Sequence, residues 1–82
     1  MDRNGIREYL RRLFSQAIGE DVGALSDDCA IMDEIDLNSL QLMTAVADIE
    51  NDMNMRFSDE ELMSIVTVGD IVDILAAKTE KS

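Results

Sequence analysis

The sequence contains no histidine, and its single cysteine is Cys29. A catalytic serine or cysteine needs a neighbouring base, most often histidine, so Ser–His and Cys–His arrangements are excluded. Cys29 also has no second cysteine for a disulfide bond and no histidine with which to share a metal ion. We therefore interpret Cys29 as a small, half-buried apolar residue.

Acidic side chains are concentrated in two segments, Asp33-Glu34-Asp36 and Asp52 to Asp59. Neither segment has the alternating ligands, central glycine and final glutamate of an EF-hand calcium loop. The glycines are scattered, so no glycine-rich loop is present to bind a nucleotide. Acid–base catalysis by carboxylates needs an enclosed pocket, and a chain of 82 residues offers little room for one. These absences argue against a self-sufficient enzyme.

One serine occupies a position with a chemical use. Ser39 follows an acidic segment, directly precedes Leu40, and is expected at the start of a helix. There its hydroxyl would lie among backbone N–H groups at the positive end of the helix dipole, where a phosphate ester is stabilised. A serine at such a position is more often an ordinary N-cap, so the position alone does not establish a modification site.

The helical spacing of apolar residues predicts the elements that would position Ser39. Proline is absent, and no long alternation of apolar and polar residues supports strands. We predict an all-α fold, a small four-helix bundle of three longer helices and a short third one. The first helix is expected from Asp2 to about Ile18, with Gly19 as C-cap, and the second from Asn38-Ser39 to about Met53. The short third helix is expected from Asp59 to Ser64, with Ser58 as N-cap and Glu61 completing a capping box. The last helix is expected from Thr67 to about Lys78.

Each longer helix carries an apolar stripe that predicts the core. We expect the six methionines to be mostly core residues as well. Lys78 and Lys81 suit the negative end of the last helix. The expected stripe residues are Ile6, Leu10, Leu13, Phe14 and Ala17, then Leu42, Met43, Val46, Ile49 and Met53, then Val68, Ile71, Val72 and Leu75.

Length and charge restrict the remaining possibilities. We expect residues 1–82 to form one domain, with a core over about residues 2–78 and a short tail over residues 79–82. The formal net charge of -11 disfavours nucleic acid and anionic membranes, and suits protein partners with basic patches. No apolar run approaches the length of a membrane span or signal peptide, so we expect a cytoplasmic protein.

The order of these features resembles the acyl carrier protein family. Residues 29–40, from Cys29 to Leu40, resemble the acidic and apolar approach to the family's Asp-Ser-Leu attachment motif. Residues 52–61 resemble its acidic turn into a short third helix, and residues 65–71 resemble its Thr-Val start of the last helix. The similarity covers nearly the whole chain and is weakest over residues 19–28.

The resemblance implies a function. Ser39 would receive 4'-phosphopantetheine from coenzyme A through a phosphopantetheinyl transferase, whose reaction uses magnesium. The thiol of that arm would hold an acyl group as a thioester and present it to acyl-loading and acyl-using enzymes, while the carrier, as a monomer, catalyses nothing. The core would shelter an apolar chain. The partner-facing residues implied by the family are Asp36, Asn38, Leu40, Gln41, Thr44, Ala47 and Asp48.

Several of these positions depart from the family's pattern. Asn38 stands where the family usually has aspartate, and Gln41 and Thr44 stand where acidic residues are common. Asp36, followed by Leu37, replaces the usual glycine. We therefore expect a specialised carrier with dedicated partners and not the housekeeping carrier of fatty-acid synthesis.

Two alternatives stay open from the sequence. The chain could be an unmodified acidic helical adaptor in which Ser39 is only an N-cap, a hypothesis that Asn38 keeps alive. It could also be an aminoacyl or D-alanyl carrier, in place of a carrier for fatty-acid, polyketide or related biosynthesis.

Overall fold

The computed structural model describes residues 2–79, which form a helical bundle around one apolar core. The first helix packs against the last helix and against the helix that begins at Ser39. The elements are α1 (Arg3–Ile18), α2 (Ile31–Glu34), α3 (Ser39–Met53), α4 (Asp59–Ser64) and α5 (Val68–Thr79). The predicted all-α class and the four predicted helices are confirmed, and the single turn α2 is additional.

Helix α1 has the predicted ends and the predicted buried face. The Asp2 side chain accepts a hydrogen bond from the backbone N–H of Gly5 and caps the helix. Gly19 ends it with φ 91, a left-handed conformation that glycine adopts without a side-chain clash. The buried residues are Ile6, Leu10, Leu13 and Phe14, while Ala17 is half-buried.

The additional turn α2 interrupts the long connection between α1 and α3. It is held by the start of α5, because Ala30 and Thr67 form an isolated antiparallel bridge. The backbone N–H of Ile31 donates to the Val66 carbonyl at 3.0 Å, and that of Val68 donates to the Cys29 carbonyl at 2.9 Å. A turn this short depends on pairing with a distant segment, so helical periodicity could not predict it.

Helix α3 begins with a capping box and buries Ala45, Val46 and Ile49. The prediction that Met43 lies in the core was wrong, since its side chain is 50% exposed. Met43 and Ala45 are two residues apart on a helix, which separates their directions by roughly 200°. The smaller residue faces the core and the methionine faces solvent.

The expectation that the methionines fill the core was also wrong for the described residues. Met32, Met43 and Met63 are exposed by 46%, 50% and 85% respectively. Met53 and Met55 are half-buried and pack against the core. The methionines therefore contribute to the surface more than to the interior.

The short helix α4 and the last helix α5 follow the predicted pattern. Ser58 and Glu61 form the predicted capping box of α4. The residues of α5 expected in the core, from Val68 to Leu75, are buried. Lys78 lies 3.3 Å from a Glu61 carboxylate oxygen and links the end of α5 to α4. Lys81 and residues 80–82 of the expected tail lie outside the described residues.

Ion pairs connect α1 to the rest of the bundle. The Arg3 guanidinium contacts Asp73 of α5 at 2.8 Å and Asp27 of the connection at 3.0 Å. Arg7 contacts the same Asp27 at 2.8 Å. Exposed pairs of this kind add little to stability, because water screens them. Their main effect is to hold the connection against α1. No helix over residues 2–79 is long and apolar enough to cross a membrane.

Candidate functional site

Ser39 is the first residue of α3, and its side chain is exposed. The residue that caps the helix is Asn38, whose Oδ1 accepts a hydrogen bond from the backbone N–H of Gln41 at 2.8 Å. The Gln41 Oε1 accepts from the backbone N–H of Asn38 at 3.0 Å and completes the box. The Ser39 hydroxyl makes no hydrogen bond to any of residues 2–79. Because Asn38 supplies the cap, the Ser39 hydroxyl is available for another role.

The surroundings of Ser39 fit a phosphate ester. The first N–H groups of a helix have no acceptor inside the helix, and here a side chain bonds only that of Gln41. These N–H donors and the positive end of the helix dipole stabilise the negatively charged oxygen atoms of a phosphate ester beside them. A phosphopantetheine group bound through Ser39 would therefore have its phosphate at a favourable end of α3.

The loop before Ser39 is fixed by buried apolar residues. Leu37 is 1% exposed and Ile35 is 7% exposed, so both anchor the loop in the core. Between them, Asp36 has φ 66, the left-handed region that favours glycine. Aspartate tolerates this region better than most residues, so Asp36 keeps a loop shape that glycine would adopt more easily. Its side chain is exposed.

Gln41 connects the start of α3 to the end of α1. In addition to the capping contact, its Nε2 donates to the carbonyl oxygen of Ala17 at 3.3 Å. The side-chain amide of Gln41 therefore accepts a hydrogen bond within the cap of α3 and donates one to α1. The resemblance to the family placed Gln41 among the partner-facing residues, but its contacts within the chain could only be seen in the folded structure.

The other predicted partner-facing residues of α3 lie on its outer side. Leu40 is 76% exposed, and Thr44, Ala47 and Asp48 are also exposed. The Thr44 hydroxyl donates to the Leu40 carbonyl at 3.0 Å, inside the helix itself. The structure thus places Leu40, Gln41, Thr44, Ala47 and Asp48 on the helix that begins at Ser39, while Asn38 is its N-cap and Asp36 lies in the loop before it.

Two further acidic residues of α3 are bonded within the chain. Asp52 accepts a hydrogen bond from the Tyr9 hydroxyl at 2.7 Å, and Glu50 accepts one from the backbone N–H of Phe57 at 2.9 Å. Burial and the Asp52 carboxylate raise the pKa of Tyr9 above its usual value, so the phenol remains a donor. These contacts fix α1 and the α4 side of the bundle to α3.

Exposed apolar residues outside the predicted set were missed from the sequence. Met63 follows the half-buried Leu62 in α4, and Val66 precedes the Thr67 bridge, where it is 62% exposed. Met32 and Met43 are exposed as well. Met32, Met63 and Val66 lie in short segments with too few residues to define a stripe, whereas Met43 was placed on the predicted stripe of α3.

Cys29 is half-buried, as predicted. Burial, followed by the nearby Glu34 carboxylate, raises the pKa of its thiol. A thiol with a raised pKa is a poor nucleophile at neutral pH. The surroundings of Cys29 therefore fit a residue that packs against the core.

Known proteins similar to this chain place the site in a family. The family model described as a phosphopantetheine attachment site matches residues 8–75. An acyl carrier protein of Tropheryma whipplei (strain Twist) is 32% identical over 79 residues, covering 95% of this chain and 96% of the relative. Polyketide-8 synthase acyl carrier protein 2 of Streptomyces avermitilis is 28% identical over 72 residues, covering 88% of this chain and 83% of the relative.

Solved structures agree with the sequence relatives. The solution structure of the holo acyl carrier protein from Geobacter metallireducens superposes with a TM-score of 0.73 at 26% identity, covering 92% of this chain and 91% of that chain. A chain from Mycobacterium tuberculosis superposes with a TM-score of 0.80 at 21% identity, covering 88% and 96%, and shows the likeness of fold. The cofactor of the matched family is phosphopantetheine. The chain belongs to the acyl carrier protein family.

Proposed function

We propose that Ser39 is the residue to which 4'-phosphopantetheine is attached, and that the chain acts as one carrier domain. The observation that carries this proposal is the Ser39 hydroxyl at the start of α3, which bonds none of residues 2–79 and lies next to a cap that Asn38 supplies. A serine engaged as the N-cap accepts a hydrogen bond from a backbone N–H of the first turn, as Ser58 does in α4, whereas the Ser39 hydroxyl makes no such bond to residues 2–79. The family match supports the cofactor, and the position of Ser39 within α3 supports the residue.

The proposed role is to hold intermediates as thioesters and to catalyse nothing. The arm's thiol would receive acyl or related groups from loading enzymes and present them to acyl-using enzymes of fatty-acid, polyketide or related biosynthesis. A flexible arm raises the effective concentration of its cargo at each partner site. The carrier would act as a monomer in the cytoplasm, with a phosphopantetheinyl transferase as its first partner.

We further propose a specialised carrier with dedicated partners. Support comes from Asn38, Gln41 and Thr44, which replace acidic residues common in the family. Uncharged residues at these positions remove attraction to basic enzyme surfaces without removing the helix cap. Ordinary turnover of the loaded protein by a housekeeping ketosynthase or malonyl transferase would contradict this proposal.

The attachment is tested by the intact mass of the protein. The purified chain is incubated with coenzyme A, magnesium and a broad-specificity phosphopantetheinyl transferase, beside a Ser39→Ala variant and a Ser64→Ala control. We expect the wild type and the Ser64→Ala variant to gain one phosphopantetheine, and the Ser39→Ala variant to gain none. Ser64 is a matched control because it is also an exposed helical serine.

The same experiment separates the alternatives. No mass gain with several transferases would contradict the carrier function and favour the unmodified adaptor. A gain that persists in the Ser39→Ala variant would show that another residue carries the arm. If Ser39 is loaded, incubation of the holo protein with acyl and aminoacyl ligases distinguishes an acyl carrier from an aminoacyl or D-alanyl carrier.

A further inference from the structure

The start of α3 is attached to the bundle by few side chains. Leu37, before the helix, is 1% exposed, and the next buried residue along the chain is Ala45, at 2%. Between them, Gln41 and Leu42 are half-buried and the other side chains are exposed. Ser39 therefore lies on a turn whose position depends on Leu42, which packs against the core, and on the contacts of Gln41.

Gln41 makes three hydrogen bonds at this turn. Its backbone N–H donates to the Asn38 side chain at 2.8 Å, and its Oε1 accepts from the backbone N–H of Asn38 at 3.0 Å. Its Nε2 donates at 3.3 Å to the carbonyl oxygen of Ala17, in the last turn of α1. The two ends of the amide are not interchangeable, because Oε1 faces a donor and Nε2 faces an acceptor. One side chain thus caps α3 and ties it to α1.

The end of α1 offers a carbonyl group that suits this bond. The last four carbonyl groups of a helix have no donor inside it, and they form the negative end of its dipole. A glutamate at position 41 could accept the hydrogen bond within the cap, but it could not donate to the Ala17 carbonyl and would be repelled by it. An uncharged amide at Gln41 satisfies both groups.

The short helix α4 has the same arrangement with different chemistry. There Glu61 occupies the position of Gln41, and its Oε1 accepts from the backbone N–H of Ser58 at 2.8 Å. The same oxygen lies 3.3 Å from the Nζ of Lys78, near the end of α5. A carboxylate suits α4 because the end of α5 presents a cation, whereas the end of α1 presents a carbonyl to Gln41.

We propose that Gln41 is a positioning residue for the attachment of phosphopantetheine, because its bond to Ala17 holds the first turn of α3, and with it Ser39, against α1. In the attachment, the Ser39 Oγ bonds to the phosphorus that carries pantetheine in coenzyme A, the pyrophosphate bond breaks, adenosine bisphosphate leaves, and the hydroxyl proton is released. A displacement of about 1 Å from the reactive geometry can cost about 100-fold in rate. The proposal rests on the proposed attachment at Ser39.

Steady-state kinetics of the apo carrier test this role, with a broad-specificity phosphopantetheinyl transferase, coenzyme A and magnesium. Gln41→Glu keeps the acceptor of the capping box and removes the donor to Ala17. We expect kcat to fall by about fivefold or more and KM for the carrier to rise by less than about twofold, because the hydroxyl is displaced while the binding surface remains. A wild-type kcat, or a loss confined to KM, would overturn the positioning role.

Two further variants separate the bond to Ala17 from the cap. Gln41→Met keeps the length of the side chain and removes both of its hydrogen bonds, so kcat should fall at least as far as in Gln41→Glu. A fall in Gln41→Met alone would mean that the cap matters and the bond to Ala17 does not, which overturns the proposal. Glu61→Gln, the matched change in α4, should leave kcat within about twofold of the wild type, and an equal loss there would also overturn it.

Hydrogen exchange of the apo protein measures the bond without the transferase. The backbone N–H of Leu42 donates to the Asn38 carbonyl at 2.9 Å, and that of Leu62 donates to the Ser58 carbonyl at 3.0 Å in the matched turn of α4. In Gln41→Glu, local opening of α3 should speed exchange at Leu42 by about threefold or more, after correction for the intrinsic rate, and leave Leu62 unchanged. Unchanged exchange at Leu42 would contradict the tie to α1.

Failure of the positioning role differs from failure of the proposed function. A wild-type chain that gains the arm at Ser39, with Gln41→Glu as fast as the wild type, would keep the function and overturn the role of Gln41. A wild-type chain that gains no arm would overturn both. Melting temperatures of the variants above the assay temperature show that a change in kcat does not come from unfolding.

Discussion

A single carboxylate organises the start of α5. One oxygen of Asp70 accepts hydrogen bonds from the backbone N–H groups of Thr67 and Val66, both at 2.9 Å. The Thr67 hydroxyl accepts in return from the backbone N–H of Asp70 at 3.3 Å. The N–H of Thr67, followed by that of Val66, lowers the pKa of Asp70 below its usual value. The ionised carboxylate therefore stabilises the fold where α5 begins.

This arrangement predicts how stability depends on pH. Because the pKa of Asp70 is lower in the folded state, its contribution is complete above the unfolded value of about 3.9 and is lost as the pH falls through the folded value. Asp70→Asn keeps an acceptor oxygen but cannot titrate, so we expect a shallower loss of stability in acid. Denaturant unfolding at pH values from about 7 to about 2.5 measures it.

The control for this prediction is Asp28→Asn. Asp28 is exposed and makes no hydrogen bond to residues 2–79, so its replacement should leave the acid dependence close to that of the wild type. The explanation fails if Asp70→Asn and the wild type lose stability with the same slope.

At the scale of elements, the start of α5 is hydrogen-bonded to the connection that precedes α2. The backbone N–H of Gly69 donates to the Asp27 carbonyl at 2.9 Å. A Cβ atom at position 69 would lie 2.9 Å from that same oxygen. Glycine is required here by the close approach of two backbones, even though the position is helical.

We expect Gly69→Ala to destabilise the protein. In an exposed helix the change would add up to about 1 kcal/mol of stability. Here the Asp27 carbonyl must move and strain its hydrogen bond, and overpacking of this kind costs about 1–3 kcal/mol. The thermal midpoint should therefore fall. Ala77→Gly, at an exposed position of α5, calibrates the helix propensity. An unchanged or higher thermal midpoint for Gly69→Ala would contradict the prediction, because it would show that the Asp27 carbonyl moves without a cost in stability.

The sequence predicted the elements whose signals are local. Capping residues such as Asp2, Asn38 and Ser58 mark helix starts through side-chain bonds to their own neighbours. The turn α2 depends on the bridge between Ala30 and Thr67, a contact between segments far apart in the chain. A pattern within one segment contains no information on such a pairing.

The candidate site also combines features that local signals predict with features that depend on packing. The location of Ser39 at the start of a helix followed from local signals, and the resemblance to a family suggested its role. The bond from Gln41 to Ala17, and those that engage Glu50 and Asp52, depend on how whole helices pack. A pattern within one segment contains no information on these contacts, so they could not be predicted from residue types alone.

At the scale of the whole molecule, negative charge exceeds what the ion pairs can balance. Arg3, Arg7 and Arg11 of α1 all contact carboxylates. The formal net charge is nevertheless -11 over 82 residues. Compact folding brings the remaining carboxylates closer together than they are in the unfolded chain, and their repulsion opposes folding.

We expect added salt to stabilise this protein. Screening weakens the repulsion between carboxylates, and it also weakens exposed ion pairs, which contribute little to stability. The repulsion is the larger effect, so the melting temperature should rise with NaCl and more strongly with MgCl₂ at equal ionic strength. A melting temperature independent of ionic strength would contradict this view, and one that falls would show that the ion pairs dominate.

The bond between Tyr9 and Asp52 makes the protein its own optical reporter. Tyr9 is the sole tyrosine, and the chain has no tryptophan, so intrinsic fluorescence arises from the phenol that joins α1 to α3. A carboxylate that accepts a hydrogen bond from a phenol quenches its emission. Separation of α1 from α3 should therefore brighten the protein, which lets the opening of this helix pair be followed without any attached dye.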